Sequence, residues 1–358
     1  MNIYMITGEQ SGDMYGANLA KELFLQNNHI KIRAFGGDKM KEEGVKLAKH
    51  IHDFSFMGFT EVLKNILSIS NNLNYCKRDI IKFNPQIIVL IDFPGFNLNI
   101  AKYAKQKGIK VVYYISPKVW AWNKRRIYKI KKYVDELIVI FPFEVEFYKN
   151  FNIKAHYFGN PLFDCIDTKL PVIDRDKKII SILPGSRTQE VKRNLSTLIN
   201  IVPFYSEYQF IIATTKGMSE LCEEIIGENK NIELLVDQTH SILKSSLISI
   251  VTSGTATLEA ALFKTPQIVC YKTDSITYLL AKLFLNLRWI SLVNILMNRE
   301  VVKELIQSEM NKDNLIREID LLLSTKNKKM LSDYQKLNEL LESNNVSKKI
   351  ANFIISLN

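Results

Sequence analysis

Ser253-Gly-Thr-Ala-Thr-Leu-Glu259 is the stretch from which the fold is best interpreted, because it joins an apolar, strand-like run to the start of an apolar helix. The first N–H groups of a helix lack internal partners and its dipole attracts anions, so such a turn can hold a phosphate. Gly254 would let a ligand approach the backbone, and Ser253 or Thr255 could cap the helix. Glu259 would lie about one turn into the helix, within reach of hydroxyl groups on the same ligand. The alternative is an ordinary capped turn.

The same order of strand, polar turn and helix recurs through the second half of the chain. Its strand-like runs lie at 179–183, 208–213, 232–235, 247–251 and 267–271. The first run is followed by Pro184-Gly-Ser-Arg187, which places a glycine, a hydroxyl and a guanidinium at a strand end. Arg187 can bind a phosphate through two parallel hydrogen bonds, as a lysine cannot. Two such turns in one half favour a nucleotide site there.

The first half shows the same alternation, with strand-like runs at 2–7, 31–35, 85–92, 111–115 and 137–141. The first of them leads into Gly8-Glu-Gln-Ser-Gly-Asp13, which lacks the GxGxxG pattern of dinucleotide-binding turns. Alternating strands and helices predict parallel sheets with ligands at the carboxyl ends of the strands. A chain of 358 residues exceeds one ordinary core. We therefore predict an α/β protein with two Rossmann-like domains, at 1–160 and 161–340, and a C-terminal helix at 341–358.

Asp92 is the strongest general-base candidate in the chain. It ends the apolar run 85–91, which is typical of a strand buried on both faces. A carboxylate at the end of a central parallel strand lies at the mouth of a cleft, where it can take a proton from a substrate hydroxyl. The alternative is that Asp92 caps the loop or helix that follows.

The composition limits the classes of partner. The formal net charge of +11 calls for an anionic partner, namely nucleic acid, an anionic membrane face or a phosphorylated substrate. The four cysteines are far apart and the five histidines show no metal-ligand spacing, so we expect no metal site and no disulfide framework. No apolar run is long enough to span a membrane and no basic segment precedes the first strand, so we expect neither a membrane span nor a signal peptide.

Two segments suggest a surface that touches a membrane. One is an aromatic-rich helical pattern whose apolar positions are Phe56, Phe59, Val62, Leu63 and Ile66. Phenylalanine and methionine crowd the start of this helix, where a loop should be exposed, as in surfaces that enter a lipid layer. The other is 118–132, with seven basic residues, no acidic one, and two tryptophans, which suits lipid headgroups as well as nucleic acid. The alternatives are a core-facing helix and a solvated helix face.

Two Rossmann-like halves with neither a GxGxxG turn nor a Walker loop fit best a nucleotide-sugar glycosyltransferase of the two-domain GT-B type. The chain resembles the lipid-A-disaccharide synthases in seven ordered blocks between residues 8 and 307. These blocks are Gly8-Glu-Gln-Ser-Gly-Asp13, Phe56-Met-Gly-Phe-Thr-Glu-Val-Leu63, Ile91-Asp-Phe-Pro-Gly-Phe-Asn97, Ser116-Pro-Lys-Val-Trp-Ala-Trp122, Leu183-Pro-Gly-Ser-Arg187 with Glu190, Ser253-Gly-Thr-Ala-Thr-Leu-Glu259, and Ser291-Leu-Val-Asn-Ile-Leu296 through Lys303-Glu-Leu-Ile-Gln307.

The resemblance implies roles for individual residues. Asp92 matches the general base that acts on the acceptor hydroxyl. Glu9 and Ser11 match essential polar residues of the first turn. Arg187 and Asn294 match residues of the half that binds UDP. Apart from the resemblance, we expect the helix start at Ser253, Gly254 and Thr255, together with Arg187, to stabilise the departing UDP, and Glu259 to contact its ribose.

The resemblance also implies the reaction. Members of the family join UDP-2,3-diacylglucosamine to 2,3-diacylglucosamine 1-phosphate, releasing UDP and forming a β-1,6-linked disaccharide with inversion. They need no cofactor, bind no nucleic acid, and form dimers by exchanging C-terminal segments. They are cytoplasmic and attach peripherally to the inner membrane of Gram-negative bacteria.

This chain departs from the usual pattern at Asn160, where the family has histidine, and at Val293, where it has proline. Gly95 stands where some members have a second carboxylate, so that group is not part of the expected mechanism. Two alternatives stay open: another GT-B enzyme acting on UDP-N-acetylglucosamine, such as a cell-wall transferase or a 2-epimerase, and a basic nucleic-acid-binding protein.

Overall fold

A parallel β-sheet lies at the centre of each half of the chain. The computed structural model describes residues 1–54, 66–121, 123–166, 170–274, 278–279, 288–324 and 327–357. The chain divides into two units, Met1–Ile166 with Leu341–Asn358, and Asp167–Leu340. The sequence-based boundary lay slightly earlier, at 160–161, and it set the C-terminal helix apart, whereas this helix belongs to the first unit.

Seven parallel strands make the sheet of the first unit, in the order β3-β2-β1-β4-β5-β6-β7. They are β1 Asn2–Ile6, β2 Lys31–Gly36, β3 Lys46–His50, β4 Ile87–Ile91, β5 Lys110–Tyr114, β6 Glu136–Val139 and β7 Ala155–Tyr157. Strand β4 is an unbroken run of branched apolar residues and is wholly buried, as an interior strand of a parallel sheet requires. Strands β3 and β7 were not predicted from the sequence, because they are edge strands with partly exposed residues and hence no strong apolar signal.

Helices cover both faces of this sheet. They are α1 Gln10–Gln26, α2 Asp38–Glu42, α3 Ile66–Phe83, α4 Pro94–Gln106, α5 Arg126–Tyr133, α6 Pro142–Lys149, α7 Leu162–Cys165 and, from the C-terminal segment, α15 Val346–Ser356. Helix α15 packs against α1, and Val346, Ile350 and Ile354 belong to the same buried cluster as β1 and β4. The Asp164 carboxylate accepts hydrogen bonds from the first backbone N–H groups of α15 at 3.1 and 2.6 Å. The C-terminal helix therefore completes the core of the first unit.

The second unit has six parallel strands in the order β10-β9-β8-β11-β12-β13. They are β8 Ile179–Leu183, β9 Gln209–Thr214, β10 Ile232–Val236, β11 Ser246–Thr252, β12 Gln267–Tyr271 and β13 Lys303–Ile306. The helices described for this unit are α8 Thr188–Leu198, α9 Ser219–Ile226, α10 Thr239–Ser245, α11 Thr255–Leu262, α12 Leu292–Met297, α13 Lys312–Leu323 and α14 Asn327–Leu341. None of the helices described for the chain is both long and apolar enough to cross a membrane.

Strand order places a topological switch point in each unit. Strand β1 lies between β2 and β4, so the connections on its two sides run in opposite directions. Strand β8 lies between β9 and β11 in the same way. In open parallel sheets, ligands bind at the carboxyl ends of the strands where the order reverses. The turns singled out from the sequence, which follow β1, β4, β8 and β11, are the turns at these two points.

Candidate active site

In the first unit, Asp92 follows β4 directly and has a left-handed backbone. Asp92 and Phe93 have φ angles of 46° and 49°, and neighbouring Ile115, at the end of β5, has 63°. A left-handed residue other than glycine is uncommon, and a β-branched one is an outlier that the surrounding structure must impose. The Asp92 N–H donates to the Tyr114 carbonyl at 3.1 Å. The backbone directly after β4 and β5 thus has a left-handed conformation at and beside the candidate base.

The Asp92 carbonyl is clamped by two buried side chains. The amide of Asn97 donates to it at 2.7 Å, and the hydroxyl of Tyr113 also donates to it at 2.7 Å. The same Asn97 amide group lies 3.3 Å from the carbonyl oxygens of Ile6 and Ile91, which end β1 and β4. Both clamping side chains are fully buried, so they fix the direction of the Asp92 backbone rather than contacting a ligand.

Gly8 brings the first turn against the loop that carries Asp92. A Cβ atom on Gly8 would lie 2.4 Å from the Phe93 ring, so this position has room only for glycine. Glu9 follows as the N-cap residue of α1, and Ser11 lies in the first turn of that helix, both partly exposed. The turn therefore places the predicted carboxylate and hydroxyl at the same sheet edge as Asp92.

The electrostatic surroundings of Asp92 suit a general base. Burial, and then the negative charge of Glu9, raise the pKa of Asp92 to about 7. The positive charges of Lys118 and Arg126 oppose this rise in pKa. A base with a pKa near the working pH is ionised in a useful fraction and still binds a proton strongly.

Asp13, which lies in α1 at the end of the segment 8–13, has a structural role. Its buried carboxylate accepts hydrogen bonds from the backbone N–H groups of Gly37, Lys39 and Met40 at 2.6, 3.0 and 3.3 Å. Asp13 thereby caps the start of α2 and connects the end of β2 to the N-terminal part of α1. Burial raises the pKa of Asp13 against the effect of these hydrogen bonds.

Glu144 holds the segment that carries Lys118, and the sequence analysis overlooked it. Its buried carboxylate accepts from the Ser116 hydroxyl at 3.1 Å and from the Trp120 indole at 3.0 Å. It also accepts from the backbone N–H groups of residues 140 and 141 at 3.2 and 3.1 Å. The available signal was a proline at the first position of α6 with the glutamate two residues later, where a side chain can reach back to the N-cap N–H.

In the second unit, Gly254 is the N-cap residue of α11, with φ of +139°. The expectation that Ser253 or Thr255 caps this helix is wrong, because no side chain in the described structure caps it and the Ser253 hydroxyl donates to the Ile290 carbonyl at 2.9 Å. The absence of a side-chain cap keeps the first N–H groups of α11 available to an anion.

Arg187 lies across the same switch point, at the N-cap position of α8 after β8. Its guanidinium contacts the Glu190 carboxylate at 2.9 Å, and 48% of the arginine side chain is exposed. Gly185 has φ of +108°, and a Cβ there would lie 2.8 Å from the same carboxylate. The turn after β8 therefore presents an oriented, accessible cation.

Asn294, which the resemblance places in the half that binds UDP, is bonded to protein through its whole side-chain amide. It is fully buried, its side-chain oxygen accepts from the N–H groups of Val301 and Val302 at 2.7 and 2.9 Å, and its amide donates to Glu304 at 2.9 Å. Glu304 in turn accepts from the N–H groups of residues 290 and 291, both at 2.9 Å. Because Ser253 bonds to the carbonyl of residue 290, these hydrogen bonds connect Asn294 to the turn before α11.

Most of the predicted membrane segment lies outside the described residues. This applies to Phe56, Phe59, Val62 and Leu63, and of Ile66 only the backbone is described, at the start of α3. In the basic segment 118–132, the described surface carries a row of exposed side chains, namely Lys118, Lys124, Arg125, Tyr128, Lys129, Lys131 and Lys132. Tyr128 is 74% exposed, and the helix α5 that carries it is therefore aromatic and basic on its outer face.

Asp38, His50 and His52 form a cluster that the sequence analysis did not foresee. Their donor atoms lie within 4.8 Å of one another, and such a set can hold a metal ion. The His50 ring accepts from the backbone N–H of His52 at 3.3 Å and lies 3.4 Å from Asp38 through its other nitrogen. Both ring nitrogens of His50 therefore already have protein neighbours.

Comparison with known proteins identifies the family. The family described as lipid-A-disaccharide synthetase matches residues 3–355. Lipid-A-disaccharide synthase of Francisella philomiragia is 36% identical over 367 residues, covering 95% of this chain and 94% of that protein. The synthase of Trichlorobacter lovleyi is 34% identical over 335 residues, covering 90% of this chain and 88% of that protein. The synthase of Coxiella burnetii is 32% identical and covers 99% of this chain and 98% of that protein.

Solved structures agree on the fold. A UDP-GlcNAc 2-epimerase from Neisseria meningitidis, bound to UDP-GlcNAc, has a TM-score of 0.69 at 14% identity and covers 99% of this chain and 100% of its own. The enzyme of Methanocaldococcus jannaschii, in complex with UDP-GlcNAc and UDP, has a TM-score of 0.64 at 13% identity, with coverage of 99% and 100%. At such identity the likeness shows the fold alone, and it confirms the prediction of two Rossmann-like domains of the GT-B type. The chain belongs to the lipid-A-disaccharide synthetase family, and it is a glycosyltransferase of lipid A disaccharide synthesis.

Proposed function

We propose that this chain transfers 2,3-diacylglucosamine from UDP to the 6′-hydroxyl of 2,3-diacylglucosamine 1-phosphate, with Asp92 as the general base. The observation that carries the proposal is the Asp92 carboxylate at the switch point of the first unit, with its backbone clamped and its pKa raised to about 7. The family membership suggests the substrates, and the position and raised pKa of Asp92 support its role as the base.

The reaction is a direct displacement. The acceptor oxygen forms a bond to the anomeric carbon of the donor while its proton passes to the Asp92 carboxylate. The bond from the anomeric carbon to the diphosphate breaks, and UDP leaves with the electron pair. Attack opposite to the leaving group inverts the anomeric centre and gives the β-1,6 linkage. Glu9 and Ser11 orient the acceptor beside Asp92 at the edge of the same sheet.

UDP binds at the switch point of the second unit. The first N–H groups of α11, at Gly254 and Thr255, donate to the diphosphate, and Arg187 adds a guanidinium. Donors fixed in advance stabilise the charge that develops on the leaving group at low reorganisation cost. Ser253 and Asn294 hold this turn in place, and Glu259 accepts from the ribose hydroxyls.

The substrates carry acyl chains, so the enzyme works at a lipid surface. Its exposed basic and aromatic residues on and before α5 suit anionic headgroups. The apolar positions at 56–66 enter the interfacial layer. We propose a cytoplasmic enzyme that attaches peripherally to the inner membrane, as a dimer in which α15 can exchange between chains.

The decisive test of function incubates the purified chain with both acylated substrates and measures the disaccharide phosphate and UDP. Both products in equal amounts support the proposal. Conversion of UDP-N-acetylglucosamine to its 2-epimer, with no disaccharide, would support the alternative enzyme of the same fold. Salt-sensitive, saturable binding to RNA without UDP binding would support a nucleic-acid-binding protein.

Replacement of the base should abolish most turnover. We expect Asp92→Asn to lower kcat by about a hundredfold or more, because general-base catalysis contributes about 10²–10⁴ in rate. Asparagine tolerates the left-handed backbone, so the fold should be kept. Initial rates with both acylated substrates provide the measurement, and Asp176→Asn in an exposed loop is the matched control. Near-normal turnover in a folded Asp92→Asn protein would remove Asp92 from this role.

The dependence of kcat/KM on pH should follow the ionisation of the Asp92 carboxylate. Since the base must be ionised, we expect kcat/KM to rise with pH through about 7. Lys118 lowers the pKa of Asp92, so Lys118→Gln should move this rise to higher pH. Lys124→Gln, which removes an exposed lysine nearby, is the control. Identical profiles for wild type and Lys118→Gln would contradict the assignment.

Loss of the guanidinium should weaken UDP binding. We expect Arg187→Ala to raise the Kd for UDP by about ten- to a hundredfold, since a hydrogen bond to a charged group contributes about 1.5–3 kcal/mol. Isothermal titration calorimetry with UDP measures the effect, and Lys192→Ala on the exposed side of α8 is the control. An unchanged Kd in Arg187→Ala would show that the cation lies away from the diphosphate.

Removal of apolar side chains should weaken attachment to lipid. The triple substitution Phe56→Ser, Phe59→Ser and Val62→Ser is expected to reduce cosedimentation with anionic vesicles severalfold, because each side chain loses its transfer free energy into the interface. Activity on detergent-dispersed substrates serves as the control for folding. Unaltered cosedimentation of the folded triple variant would refute the membrane contact.

A further inference from the structure

His240 and Glu259 form a mostly buried pair that the proposed reaction leaves partly unexplained. His240 is the second residue of α10, which follows β10, and Glu259 lies one turn into α11, which follows β11. The His240 Nε2 and Glu259 Oε2 atoms are 3.8 Å apart. The side chains are only 19% and 12% exposed. Two titratable groups from different helices therefore meet near the carboxyl edge of the second sheet.

Their surroundings disfavour either charge alone. Burial raises the pKa of Glu259 to about 7, and burial lowers the pKa of His240. The imidazole also packs against the Phe263 ring, with 5.2 Å between centroids. A buried carboxylate is stable only when hydrogen-bond donors or an opposite charge surround it. Ionisation of Glu259 is therefore favoured by a donor on His240 and by any ligand that brings further donors.

We propose that His240 is a positioning residue that holds the Glu259 carboxylate in the orientation that accepts hydrogen bonds from the ribose hydroxyls of UDP. This inference rests on the proposed function, in which UDP binds at the switch point of the second unit. A ribose offers two adjacent hydroxyl donors, and an ionised carboxylate offers two acceptor oxygens. The His240 Nε2 atom lies 3.8 Å from the carboxylate, so a bound nucleotide and His240 hold the Glu259 carboxylate from two sides.

The experiment compares UDP with 2′-deoxy-UDP, which lacks one of the two hydroxyl donors. Calorimetric Kd values are measured for wild type, Glu259→Gln, His240→Phe and His240→Gln. The phenylalanine keeps a ring against Phe263 but removes the polar atoms, and the glutamine restores an N–H donor. His29→Gln, at an exposed histidine of the first unit, is the matched control.

We expect wild type to prefer UDP over 2′-deoxy-UDP by about tenfold or more, which corresponds to one hydrogen bond to a charged group. Glu259→Gln should lose most of this preference, His240→Phe should reduce it severalfold, and His240→Gln should recover part of it. With the UDP-sugar as varied substrate, His240→Phe should raise KM while kcat changes little.

Full preference in a folded His240→Phe protein, or a wild type that binds both nucleotides equally, would overturn the inference and leave the proposed function intact. Equal loss of affinity for both nucleotides in His240→Phe and His240→Gln would show that His240 only fills the core, which also overturns it. Failure of the wild-type chain to bind UDP at all would instead contradict the proposed function. Thermal unfolding of each variant separates these outcomes from loss of the fold.

Discussion

The candidate site of the first unit depends on the left-handed backbone of Asp92 and Phe93, directly after β4. Asp92 and Phe93 take a backbone shape that costs free energy for residues other than glycine, about 1–3 kcal/mol each. Buried hydrogen bonds from Asn97 and Tyr113 offset that cost, and Gly8 lets Phe93 pack against the first turn. These hydrogen bonds and the left-handed backbone together fix the orientation of Asp92 at the carboxyl end of β4.

The chemistry of this site follows from how charge is distributed around the carboxylate. Burial and Glu9 raise the pKa of Asp92, whereas Lys118 and Arg126 lower it. Glu144 fixes the loop that carries Lys118 through two hydrogen bonds, to Ser116 and Trp120, and so holds in place a charge that acts on the pKa of Asp92. A pKa near neutrality is the result of these opposing effects, and no single residue sets it.

In the second unit, the turn proposed to bind the diphosphate is supported differently. Here a glycine at the N-cap leaves the first N–H groups of α11 without a side-chain cap, and support for the turn comes from a chain of hydrogen bonds behind it. In this series of hydrogen bonds, Asn294 donates to Glu304, and Glu304 accepts from the backbone N–H groups of residues 290 and 291. The Ser253 hydroxyl then donates to the carbonyl of residue 290. An asparagine that the family resemblance places in the UDP half thus acts by holding the turn, because its own polar groups are bound to protein.

The sequence by itself determined the fold class and the four turns that carry the candidate site. Alternating apolar runs and helices require parallel sheets, and each turn combined a strand end with glycine, hydroxyl or charge. The edge strands β3, β7 and β13 could not be predicted, since their mostly half-buried residues lack an apolar pattern. Only the tertiary structure decided which polar residues are bonded to other parts of the protein. Ser253, Asn294, Asp13 and Glu144 look equally reactive in the sequence, but partners distant along the chain occupy their hydrogen-bonding groups. Packing between loops set those partners, because Asp13 meets residues 37–40 after β2, Glu144 meets Ser116 after β5, and Ser253 meets residue 290 before α12.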